Sequence, residues 1–101
     1  VTHRYALPEP KGIETAAEDG TVVELARVWI APEEPIILVR PAFEDPKAMG
    51  EMLAELCWHF SLAYEQQGAG KAADIRERLK EGWASGHANG EAELLRRTGG
   101  Q

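Results

Sequence analysis

The sequence predicts a small α+β domain: an antiparallel β-hairpin, with room for a third short strand, packed against a long amphipathic helix that has a second, C-terminal helix beside it. Three observations carry that prediction. Two runs rich in β-branched and aromatic residues, "TVVELARVWI" (21–30) and "IILVRPAF" (36–43), are fenced apart by Pro32 and Pro35, as paired strands and their connection would be. After them comes "EDPKAMGEMLAELCWHFSLAYEQQG", whose apolar residues recur at helical spacing between a start and a stop signal. A second helical run, "KAADIRERLKEGWASG", follows the break "GAG".

Taken in order, residues 1–20 read as an irregular N-terminal segment. Pro8 and Pro10 punctuate it, Asp19-Gly20 is a turn signal, and "YAL" or "GIE" is a candidate for an additional short edge strand. Residues 21–86 form the single α+β domain. In its first strand Val23, Leu25, Arg27 and Trp29 share one side, and Val22, Glu24, Ala26, Val28 and Ile30 the other. Neither side is cleanly apolar, so the strand either carries a bulge or is partly covered on both faces. The loop "APEEP" starts with Pro32 set for a type I turn, and Pro41 limits the second strand because it has no N–H for a ladder bond.

The long helix is predicted over 46–67. Asp45 is a good N-cap, Pro46 fits the first helical position, and Gly68 supplies the stop. At about 100° per residue, Met49, Met52, Leu53, Leu56, Phe60, Ala63 and Tyr64 make one stripe with Cys57 at its margin, and this stripe is the expected core face. The second helix, 71–86, places Ala72, Ile75, Leu79 and Trp83 on one side and alternating charge opposite, including an Asp74–Arg78 pair. After "HANG", residues 87–101 read as a frayed C-terminal tail.

Composition narrows the function classes. With 101 residues, 44% of them hydrophobic and 28% charged, the chain is long enough for one core and not for two. A formal charge of −6 opposes a duplex-binding surface, since affinity for nucleic acid comes largely from neutralising phosphates, so no nucleic-acid partner is expected. No apolar run reaches the length of a membrane span, and "VTHRYALPEPKG" lacks the apolar core of a secretory signal. Together with a single cysteine, this gives the expectation of a cytoplasmic protein without a membrane partner.

The stretch "ELARVWIAPEEPIILVRPAFEDPKAMGEMLAELCWHFSLAYEQQG", with an Arg- and Trp-containing helix after it, resembles the small bacterial proteins grouped as domain of unknown function 5076. The likeness covers residues 22–86 in element order and in the "RVWI" and "EDP" joints. It implies a compact α+β domain with a hairpin followed by helices, and it supplies no activity, cofactor or catalytic residue.

Candidate chemistry is sparse. Cys57 and His59 are two apart on one helix and diverge by about 160°, so they cannot form a thiol–imidazole pair. Glu51, Glu55 and His59 step by four along a flank, but one helix offers an ion too few of them at once. "QGAGKAAD" departs from a phosphate loop: a helix precedes it, the spacing is short, and Ala72 stands where a hydroxyl is needed. No catalytic residue, metal site or cofactor is therefore assigned.

Two surfaces remain. Arg27 and Arg40, one per strand, are candidates for binding an anionic small molecule, in a binding protein or an enzyme. Trp58, with Ala54 and Leu62, forms a second apolar strip pointing away from the core stripe. Either Ile75, Leu79 and Trp83 of the second helix cover it, or it meets a protein partner or a second copy of the chain. The preferred reading is a non-enzymatic interaction or regulatory domain.

Overall fold

The computed structural model describes residues 3–98, with side chains to Arg96, and divides into two units that meet in sequence between Glu44 and Asp45. The element types are those of an α+β fold: three helices and a two-stranded antiparallel sheet.

In the first unit, helix α1 (Ile13–Asp19) stands where the sequence points to irregular chain or an edge strand. The third strand is not formed among the described residues. "IETAAED" is rich in good helix formers, and Gly20 closes the helix by donating its N–H to the carbonyls of Ala16 and Ala17. The Thr21 hydroxyl adds a bond to the Ala16 carbonyl at 3.1 Å. Local capping thus outweighs the weak strand signal of "GIE".

Strands β1 (Ala26–Trp29) and β2 (Ile36–Val39) pair antiparallel in the register Ala26 to Val39 through Trp29 to Ile36. They are shorter than the composition indicates. Beyond Leu25, whose carbonyl accepts from Arg40 N–H at 2.8 Å, residues 21–24 have no strand opposite them, and Pro41 follows two residues after β2 ends. No bulge is needed: Glu24 and the valines before it lie outside the strand. All eight strand residues are exposed.

The second unit is a pair of helices. Helix α2 (Pro46–Gln66) begins as expected, with Asp45 Oδ1 accepting the Lys47 N–H at 3.0 Å and Pro46 in the first turn. It ends at Gln67, and the turn that follows uses Gly68 and Gly70 at φ of 86° and 134°, conformations that side chains with a Cβ rarely adopt. Helix α3 then runs from Ala72 to Thr98, its first N–H donating to Glu65 Oε2 of α2 at 2.9 Å.

Helix α3 departs from the expected stop at 86 and the frayed tail after it. Gly82, Gly86 and Gly90 all lie inside it. Alanines, glutamates and leucines between and beyond them favour the helix enough to carry it through, and a Glu93–Arg96 pair supports the last turns. Its solvent side pairs charges at i, i+3, with Glu77 to Lys80 at 3.1 Å and Glu81 to Arg78, so Arg78 turns to Glu81 rather than to Asp74.

The stripe expected as core is half-exposed. Met52, Leu53, Leu56, Phe60 and Tyr64 keep 38–51% of their surface. Among the described residues no hydrophobic side chain is fully buried, and the one buried residue is Ser61.

Gly86→Ala tests the entropic cost of glycine within α3. A Cβ there meets nothing within 4 Å, so the substitution should stabilise the helical unit by about 0.5–1 kcal/mol, read as a raised urea midpoint.

Candidate functional site

Where α2 and α3 approach each other, the half-buried Cys57 and the buried Ser61 of α2 lie toward α3, on a side of the helix that carries small residues. Gly50, Ala54, Cys57 and Ser61 follow one another at i, i+4, i+7 and i+11, so they form a low ridge along one side of α2. Ile75, Leu79 and Trp83 of α3 line the grooves on either side of it.

Arg76 fastens this contact. Its guanidinium carbon sits 3.8 Å from the centroid of the Trp58 ring, and its Nη1 donates to Ser61 Oγ at 3.3 Å. Ser61 Oγ in turn donates to the Trp58 carbonyl at 2.7 Å. One cation thereby joins an aromatic face to the buried Ser61 hydroxyl. Such a ring contact contributes about 0.5–2 kcal/mol according to how far it is desolvated.

Of the strip Ala54, Trp58 and Leu62, the structure brings the first two together. Both line a groove of about 400 Å³ with Leu53, Arg76 and Leu79. Leu62 is outside that groove and 47% exposed. Trp58 receives Arg76 on its ring and still keeps 55% of its surface. On the other side of the ridge, Phe60, Tyr64, Ile75 and Trp83 line a groove of about 590 Å³. Cys57 borders both grooves at intermediate exposure in mid-helix.

Glu51, Glu55 and His59 are exposed, and no group of three or more His, Cys, Asp or Glu comes together among the described residues. His87 packs against Trp83 of its own helix, the ring centroids 4.5 Å apart and the planes tilted by 53°. Its position answers to Trp83 and not to a thiol.

Within the first unit, Arg27 pairs across the sheet with Leu38, two residues from Arg40, so both arginines belong to one face. Arg27 Nε donates to Glu24 Oε2 at 2.7 Å. That bond holds the Glu24 carboxyl below its ordinary range, with the charges of Arg27 and Arg40 adding in the same direction, and it raises Arg27. The cavity bounded by Glu24, Arg27 and Arg40 is shallow, about 180 Å³. The anion between the arginines is the chain's own carboxylate.

Comparison with known proteins bears on what this geometry serves. The family model of a domain of unknown function (DUF5076) matches residues 6–89. The chain belongs to that family. The DUF5076 match starts upstream of the residues that carry the sequence resemblance and takes in α1 as well as the hairpin and most of the helical pair. Among curated proteins no relative matches. A solved structure from the photosynthetic bacterium Rhodopseudomonas palustrus, provisionally described as a pyruvate dehydrogenase, is similar at 24% identity and a TM-score of 0.63 over 93% of this chain and 86% of that one. At that identity the likeness is one of fold. No helix of this DUF5076 chain, among the described residues, is long and apolar enough to cross a membrane.

Ser61 is the residue that sequence reading passes over. Its signal is the spacing of small residues, which marks where a neighbouring backbone comes close, rather than any reactive group.

Two outcomes follow for these sites. Ser61→Leu should cost roughly 1–3 kcal/mol by overpacking a position with no exposed surface, measured as a lowered denaturation midpoint of the helices. For Glu24, a carboxyl whose folded pKa is depressed contributes stability above its unfolded value, and that contribution is lost as pH falls through the folded one. A carboxyl NMR titration should therefore place the Glu24 midpoint below that of a free glutamate, and Arg27→Gln should return it toward the ordinary range.

Proposed function

We propose that this protein is a small non-enzymatic interaction module, acting in the cytoplasm, whose helical unit offers apolar surface to another protein surface. The observation that carries this reading is the mismatch between sequence and burial. Trp58, Leu62, Leu56 and Phe60 each keep about half of their surface, and no apolar side chain among the described residues is fully buried. Large contiguous apolar patches on soluble proteins mark association sites. Trp58 with Ala54 and Leu62 is a natural anchor, because interface energy concentrates in aromatic residues that start partly exposed and end desolvated.

The rival reading, an anionic ligand held by Arg27 and Arg40, has less behind it. Glu24 already supplies the negative charge, and the cavity there is about 180 Å³, below the size usual for ligand pockets. Dehydrogenase chemistry is not carried over from a likeness of fold. The net charge of −6 supports a partner that is not nucleic acid.

The test is whether the apolar surface is open in the isolated chain. At high dilution the chain should bind an anilinonaphthalene dye, and acrylamide should quench its tryptophans readily. Trp58→Ala should lower the dye signal with little change in far-UV helicity. A monodisperse monomer that leaves the dye dark and unfolds in one sharp transition would overturn the reading.

A further inference from the structure

We infer that the groove beside Trp58 is a binding site for an apolar monocarboxylate of fatty-acid type, whose carboxylate pairs with Arg76 and whose aliphatic body lies between α2 and α3. This goes beyond the interaction reading and stands on a different observation, the unmatched charge of Arg76.

That charge is an exception within its own helix. Arg78 pairs with Glu81, Lys80 with Glu77 at 3.1 Å, and Arg96 with Glu93, each at a spacing of three residues. Arg76 has Ala72, Ala73, Leu79 and Lys80 at the positions three and four residues away, so its neighbours on α3 offer it no carboxylate. Helix α2 supplies none either. Glu65, four residues beyond Ser61, accepts the Ala72 N–H, and among the described residues no carboxylate pairs with Arg76.

Its partners are the Trp58 ring and the Ser61 hydroxyl. A guanidinium carries five N–H donors, and Nη1 uses one of them on Ser61. The others meet no acceptor among the described residues. A half-buried cation in this condition calls for an anion, and its planar fork matches a carboxylate through two parallel bonds.

The shape beside Arg76 selects the rest of the ligand. The groove is about 400 Å³, within the usual size of small-molecule sites, and Leu53, Ala54, Trp58, Leu79 and Trp83 give it apolar walls. Lys80 is the other charged residue lining it, and no acid does. Gly50 and Trp58 both border it, eight residues apart on α2, a run of about 12 Å at the helical rise. That space takes one aliphatic chain, whereas a partner helix, about 10–12 Å across with its side chains, would lie over the groove rather than in it. The neighbouring groove suits this chemistry less well. It is larger, about 590 Å³, but its cation is Arg78, which already holds Glu81.

The experiment uses the full chain with decanoate as probe, kept below the concentration at which it self-associates. Titration calorimetry should show decanoate binding about tenfold or more tighter than decanol, which lacks the charged group. Arg76→Gln should remove that difference, and Arg78→Gln, which alters the cation of the other groove, should leave it. Because Arg76→Gln can also loosen the helical pair, the wild type gives a separate reading: Overhauser contacts should join the decanoate methylenes to the indole protons of Trp58. Equal binding of decanoate and decanol, unchanged affinity in Arg76→Gln, or contacts to Phe60 and Tyr64 in place of Trp58 would each overturn the proposal. So would a chain that does not bind decanoate. If acrylamide still quenches the tryptophans of that chain readily, the interaction reading stands without the ligand; if it does not, both readings fall.

Discussion

The helical unit depends on where α3 is allowed to sit, and that is decided by Arg76. Its guanidinium needs acceptors and a ring to replace water, and it finds both only on the side of α2 that carries Trp58 and Ser61. With Arg76 held there, the half-buried Cys57 and the buried Ser61 lie on the side of α2 that α3 approaches. The more apolar side of α2 is left aside. A polar contact of modest energy thus contributes to the choice of face, and Leu56, which lines neither groove, keeps half of its surface.

Much of the chain's order was legible in its sequence, for identifiable reasons. Helix α2 carries its own punctuation, Asp45 and Pro46 at one end and Gly68 at the other, so its bounds follow from local chemistry. The hairpin was legible from its β-branched runs and its prolines, although its strands are shorter than those runs because pairing requires a residue opposite. Helix α1 was missed since its signal, alanines and acids between two glycines, also reads as a loop. The length of α3 was missed because glycine is a statistical breaker whose cost, about 1 kcal/mol each, neighbouring alanines and leucines can offset.

The candidate site was legible only in part, and the reason is geometric. Periodicity shows which residues share a side of a helix, and it placed Trp58 away from the Leu56 stripe. It does not show which side a second helix will choose. That choice turned on Arg76, which in sequence is one arginine among several in a charged run, and on Ser61, which is polar and unremarked among apolar neighbours. The sheet arginines show the same limit. Their common face follows from register, but the bond from Arg27 to Glu24 joins a strand residue to one that lies just outside the strand.

The hairpin has one further implication, for how its sheet can grow. A sheet of two strands has two outer edges, and each presents backbone N–H and C=O groups to any strand that arrives. The β2 edge is guarded, with Pro35 immediately before the strand and Pro41 shortly after it, so an added strand there would meet missing donors at both ends. The β1 edge, from Ala26 to Trp29, has no proline and no bulge. Recruitment of further strands is therefore one-sided: an incoming chain extends the sheet beside β1 or not at all. The same asymmetry makes "ARVW" the segment that crowding would first draw into mispairing while the protein folds.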